Sequence, residues 1–123
     1  MSEDPRPRVW VGHITLKTNN LAASDTFLQA LGMRPIFKSD DVAILELRGG
    51  THIVVEKSET ESEPEAGFDL MVEDLNQAHA DYASLGLVPS EISRGRIHDA
   101  FTVRDPGGAT ITVNSNHVSD LPV

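Results

Sequence analysis

Gly49-Gly50-Thr51-His52-Ile53-Val54-Val55 returns 58 residues later as Gly107-Gly108-Ala109-Thr110-Ile111-Thr112-Val113. Upstream, Asn20-Leu21 opens a stretch that closes on Leu31-Gly32-Met33, and Asp74-Leu75 opens one that closes on Leu85-Gly86-Leu87, both landmarks at an offset of 54. Two sets of landmarks in the same order describe a duplicated module, and such self-similarity decides the fold before any local reading does.

Within one copy the elements follow from periodicity. Val11 to Lys17 alternates and is rich in β-branched residues, which fits a strand covered on one face: Ile14 and Leu16 share one side, His13, Thr15 and Lys17 the other. Asn20 is placed to cap a helix whose Leu21, Ser24, Phe27, Leu28 and Leu31 fall on one side and which Gly32 ends. In the second copy Asp74 caps, Gln77 sits where a capping box needs it, and Leu75, Ala78, Tyr82 and Leu85 form the stripe before Gly86. Three extended segments follow each helix, near 34–39, 42–48 and 51–57, then near 88–93, 98–104 and 109–115. Gly49-Gly50 and Asp105-Pro106-Gly107-Gly108 make the tight turns. The unit is βαβββ, twice.

The expected architecture is therefore α+β: two βαβββ modules whose mixed sheets curve into a cup, with the helices on the outside. Residues 1–123 form a single domain, with a first module at 9–58, an acidic linker at 59–66 and a second module at 67–117. The cup is lined by His13, Thr15 and Lys17 with their counterparts Gly67, Asp69 and Met71, and by His52, Val54 and Glu56 with Thr110, Thr112 and Asn114.

At 123 residues, the chain is long enough to bury roughly two-thirds of the surface it exposes when unfolded, so no staple is required. It has no cysteine, which rules out disulfides and thiol chemistry and agrees with a reducing compartment. No apolar run approaches the ~20 residues of a membrane span, and Met1 to Arg8 lacks the apolar centre of a signal peptide, so a cytoplasmic protein is expected. The net charge of -9 repels phosphate backbones and anionic bilayers, which argues against nucleic acid and membrane as partners. Much of that charge lies in Glu56 to Glu65, a proline-bearing run with too little apolar surface to pack, read as a solvated linker.

Three stretches carry a likeness to known proteins: Gly12-His13-Ile14-Thr15-Leu16 leading to Leu31-Gly32-Met33, Phe68-Asp69-Leu70-Met71-Val72-Glu73-Asp74-Leu75, and Phe101-Thr102-Val103-Arg104-Asp105-Pro106-Gly107-Gly108. In that order and duplication the chain resembles the vicinal oxygen chelate superfamily, which includes glyoxalase I, extradiol dioxygenases and bleomycin-resistance proteins. The resemblance spans residues 9–116. It implies a homodimer, often with modules of two chains completing each cup, and in metal-dependent members a divalent ion held from the first and last strands of both modules. Those positions map to His13, Gly67, Val54 and Thr112, only the first of which is a metal-binding residue. No metal site and no cofactor are therefore expected, with a divalent metal anchored by His13 as the alternative. His52 and Glu56 cannot share one ion, because four strand residues separate them by ~13 Å.

Other polar residues complete the candidate list. His13 and Asp69 are the acid–base candidates, Asp69 because an acid in an otherwise apolar strand must find a partner. Thr15, His52, Glu56 and Thr112 are candidate ligand contacts from the strands. Arg96 and His98, in Arg94-Gly95-Arg96-Ile97-His98-Asp99, belong to a cationic loop suited to a carboxylate or phosphate at the rim. Trp10 is read as packing or a dimer contact, the Asp105 turn as structural, and His79 and His117 as surface. The leading reading is a metal-independent small-molecule binder like the bleomycin-resistance branch, sequestering a ligand in a dimer crevice, with the negative charge favouring a cation. The competing reading is a glyoxalase-like lyase or isomerase, or a dioxygenase, acting on a small oxygen-rich substrate.

Overall fold

The computed structural model describes residues 4–123. Its elements are β1 (His13–Thr18), α1 (Leu21–Leu31), β2 (Arg34–Lys38), β3 (Val42–Glu46), β4 (His52–Lys57), β5 (Leu70–Val72), α2 (Leu75–Ser84), β6 (Ala100–Arg104) and β7 (Thr110–Ser115), with a 3-10 turn at Arg48–Gly50. They build two mixed sheets, ordered β1-β4-β3-β2 and β5-β7-β6. In each, the first strand of the module lies parallel beside the last, and the hairpin before it is antiparallel. A parallel pair needs a long crossover, which the intervening helix begins.

The repeat is also a repeat of strand register. Leu16 lies opposite Val55 in the first sheet, and Leu70 opposite Val113 in the second. Leu45 opposite Ile53 is matched by Val103 opposite Ile111. These pairs carry the same offsets, 54 and 58, that the sequence shows. Their side chains are the core: Leu45, Ile53, Val55, Ile111 and Val113 have no exposed surface, and one hydrophobic cluster takes in both modules.

Both helices start as expected. The Asn20 side chain accepts from Ala23 N–H at 3.3 Å, and Asp74 accepts from Gln77 N–H at 3.0 Å. Gly32 and Gly86 then take the left-handed conformation, φ 117° and 77°, that glycine adopts without steric cost. Two details differ from expectation. The Gln77 side chain turns forward to Asp81, 2.8 Å, so the capping box is not closed. Leu85, expected in the buried stripe, is exposed because α2 ends at Ser84.

The second module is the less regular one. Residues 88–93 do not form the expected strand: Pro89 has no N–H to give a ladder, and Val88 turns to φ 52°. Pairing with β6 survives in pieces, through Ser90 N–H to the Thr102 carbonyl (2.9 Å) and a bridge between Ser93 and Ala100. Gly67 and Asp69, expected on a cup-facing strand, precede β5, which begins only at Leu70.

A buried polar joint ties the halves together. The Ser24 hydroxyl donates to Thr18 Oγ1 at 2.8 Å, Ser62 N–H donates to the Gly107 carbonyl at 3.0 Å, and the Ser62 hydroxyl donates to the Lys17 carbonyl. Asp105, 1% exposed, accepts from Gly107 N–H at 2.8 Å. The Asp105 turn is thus part of the framework. Ser62, buried, departs from its otherwise solvated acidic run.

Candidate functional site

On the side of the first sheet facing away from the core, strand register sets side chains in three rows. The first row is His13, His52, Glu46 and Arg34, from β1, β4, β3 and β2 in turn. The second is Thr15, Val54, Ile44 and Phe37. The third is Lys17, Glu56 and Val42. Positions two apart along a strand share a face and lie ~6.6 Å from one another, so the rows make a polar, then apolar, then charged surface about 13 Å long. His13, Thr15 and Lys17 point to this face, as their alternation predicted, and all three are exposed.

The first row is bonded across the strands. The His13 and His52 rings lie 5.9 Å apart, centre to centre. His52 Nε2 is 2.9 Å from Glu46 Oε2, and the other Glu46 oxygen accepts from the Arg34 guanidinium. Arg34 first, and His52 after it, hold the Glu46 carboxyl below its ordinary value against the opposing effect of desolvation. Neither Glu46 nor Arg34 was among the residues singled out from sequence. The signal was present in the hairpin: the Gly49-Gly50 turn, continued by Leu47 N–H to the Thr51 carbonyl at 2.8 Å, closes with Glu46 opposite His52.

The other expected residues fall elsewhere. Asp69 accepts from the Asn114 side-chain amide at 2.9 Å, and no described contact joins it to His13. Thr112 faces Thr102 across the β6–β7 ladder, on the module-two counterpart of the apolar row. Glu56 lies two rows from His52, beside Lys17. In the cationic loop Arg94 pairs with Asp99 at 2.8 Å and bonds Asn76 at 3.0 Å. Arg96 is exposed, and the His98 ring lies 5.4 Å from that of His117, its buried Nδ1 without a partner among the described residues. His79, expected as surface, bonds the Ser90 carbonyl at 2.8 Å and sets its ring edge-on to Phe101. Trp10 is 71% exposed.

Two open clefts lie away from the three rows. One, of about 720 Å³, borders the polar joint at Phe27, Leu87 and Asp105. The other, of about 600 Å³, lies between the chain ends at Trp10, Arg48, Thr51 and Val123.

Solved structures with this architecture are numerous. Lactoylglutathione lyase from Agrobacterium tumefaciens matches with a TM-score of 0.74 at 14% identity, covering 91% of this chain and 97% of that one. A glyoxalase/bleomycin resistance protein/dioxygenase from Alicyclobacillus acidocaldarius matches with a TM-score of 0.71 at 17% identity, covering 97% of both. An integron cassette protein from the mobile metagenome of V. Pseudocholerae gives 0.64 at 24%, covering 89% and 96%. The likeness is one of fold: two modules arranged as in glyoxalase/bleomycin resistance protein/dioxygenase structures. No family sequence model and no curated protein sequence matches the chain.

Within this glyoxalase/bleomycin-resistance fold the residues present do not fit the metal that the resemblance implies. Of the four mapped positions only His13 offers a metal donor; Val54, Gly67 and Thr112 offer neither imidazole nor carboxylate. A displaced set fares no better, because His52 Nε2 is engaged by Glu46 and Glu56 is two rows away. Among the described residues, no three His, Asp or Glu side chains converge closely enough to hold an ion.

Proposed function

We propose that this protein binds a small molecule on the open face of its first module, over the rows that run from His13 and His52 to Lys17 and Glu56. The observation that carries this reading is the bonded row His13, His52, Glu46, Arg34 set beside an apolar shelf of Val54, Ile44 and Phe37. An apolar surface with a few convergent polar groups is the usual composition of a ligand site. The face carries two cations, Lys17 and Arg34, and two carboxylates, Glu46 and Glu56, so its local charge balances. That favours a neutral ligand over the cation suggested by net charge alone.

The same proposal places the protein in the cytoplasm as a homodimer that sequesters its ligand in a crevice between copies. Among the described residues no helix is long and apolar enough to cross a membrane. Val9, Trp10 and Val11 are 82%, 71% and 57% exposed beside the edge strand β1, an apolar run that a second copy would cover. Trp10 is the only tryptophan, so its fluorescence reports this pairing: emission shifts to the red on dilution below the dimer's dissociation constant, and a spectrum already red and unchanged at every concentration contradicts pairing at this edge.

Binding itself is tested by thermal shift with a library of small oxygen-bearing compounds, on the wild type and on Val54→Arg. Compounds that stabilise the wild type are expected to lose their effect in the variant. Equal stabilisation of both would place the ligand elsewhere. A second reading, a lyase or isomerase, is favoured by one observation, the carboxylate-held imidazole of His52, an arrangement suited to accepting a proton.

A further inference from the structure

We propose that His52 is a preset hydrogen-bond acceptor, fixed in one tautomer by Glu46 and Arg34, and that the ligand is a small molecule with an apolar ring or chain ending in a single O–H or N–H donor. The inference rests on the ligand lying over the first module's open face.

Glu46 has one oxygen on the Arg34 guanidinium and the other 2.9 Å from His52 Nε2. An ionised carboxylate only accepts, so the hydrogen of this contact belongs to Nε2. In the neutral ring Nδ1 is then the lone-pair atom, and among the described residues no group donates to it. The imidazole is partly open, its side chain 31% exposed, whereas the Glu46 side chain that orients it is 20% exposed. Partly open and tied by one nitrogen to a carboxylate, His52 has the form of a base held by a positioning residue.

The rest of the face narrows the ligand. From His52 the next row is Thr15, Val54, Ile44 and Phe37, three apolar side chains and a hydroxyl, with Phe37 53% exposed. A planar ring lying on Val54 and Ile44 would place a substituent at one end within reach of His52. A ligand that brings only acceptors there meets the Nδ1 lone pair with the Glu46 carboxylate behind it, and is disfavoured. Module two offers no equivalent: Thr110 and Arg104 occupy the positions of His52 and Glu46.

Two measurements test the assignment. Two-bond proton–nitrogen correlation spectra of 15N-labelled protein at pH 7.5 report the state of each imidazole. His52 is expected as a single Nε2–H form, giving way to mixed tautomers in Glu46→Leu. A His52 protonated on Nδ1, or on both nitrogens, in the wild type overturns the proposal. The second measurement compares phenol with anisole, the same ring without a donor. Phenol is expected to move the His52 nitrogen and the Val54 and Ile44 methyl resonances, binding about fivefold or more tightly than anisole. Equal binding of the two with His52 unmoved overturns the acceptor and leaves the binding face standing. No movement of the face with either probe removes both.

Discussion

The two modules are the same on one side and different on the other. Toward the core, Leu45 opposite Ile53 and Val103 opposite Ile111 are interchangeable aliphatic pairs in the same register. Toward the open face, the row that reads His13, His52, Glu46 in module one has Gly67, Thr110, Arg104 at the corresponding places in module two. A duplicated fold holds the inward residues to a shape, because close-packed interiors register even a methylene. The outward residues are free of that demand, and only the first module has filled them with a bonded set of ionisable groups. Chemistry is therefore expected on one half of a scaffold that is nearly symmetric.

The largest effects test the symmetric side. Ile53→Ala and Ile111→Ala each empty a fully buried equivalent position, and each is expected to cost about 2–5 kcal/mol in denaturant unfolding. A variant of either that unfolds at the wild-type midpoint would break the claim that both inner faces serve one core.

Next come two glycines at matching places in the hairpin turns, required for different reasons. A Cβ at Gly107 would lie 2.3 Å from Thr18 Oγ1 and 2.7 Å from Ser62 Oγ, whereas at Gly49 it meets nothing within 4 Å but the backbone holds φ 83°. Gly107→Ala is expected to lose about 1–3 kcal/mol through crowding of the joint, and Gly49→Ala about 1–2 kcal/mol through backbone strain. Adding Ser62→Ala should relieve part of the first loss and none of the second.

A smaller effect separates the modules by pH. Burial pushes the Asp105 carboxyl above its ordinary 3.8, with the Gly107 amide holding it part-way back. The folded chain therefore binds this proton more tightly than the unfolded chain. Its contribution favours folding below pH 3.8 and is lost as pH rises through the folded value. Asp105→Asn is expected to melt higher than wild type at pH 7, by a margin that shrinks on acidification toward pH 3.5. Glu46, in module one, has the opposite sign: its contribution is present above 4.5 and fades as pH falls through its lowered folded value. Melting curves of Glu46→Gln should therefore converge on wild type at low pH.

How far the sequence foretold this structure depended on whether the determining interaction was local. Caps at Asn20 and Asp74, the left-handed Gly32 and Gly86, and the strand alternation around Ile14 and Leu16 are set by neighbours a few residues away, and they were legible. The loss of a strand at 88–93 was half-legible, since Pro89 removes a donor, whereas nothing in the residue type of Val88 announces its positive φ. The offset from Thr15 points to a strand at Asp69, but β5 is only three residues long and begins at Leu70. The Gly49-Gly50 turn is enough to set Glu46 opposite His52, but the further bond to Arg34 depends on the register of β2 on β3, which no short motif records. Ser62 looked like part of a solvated run; its burial follows from the packing of one module on the other.

The most direct test of the asymmetry is a methyl and amide chemical-shift map recorded while a cocktail of small oxygen-bearing fragments is titrated into the labelled protein. Shifts clustering on Thr15, Ile44, Val54 and His52, with Thr102 and Thr112 still, are the predicted result. Shifts concentrated on the second module, or shared evenly between the two, would contradict it.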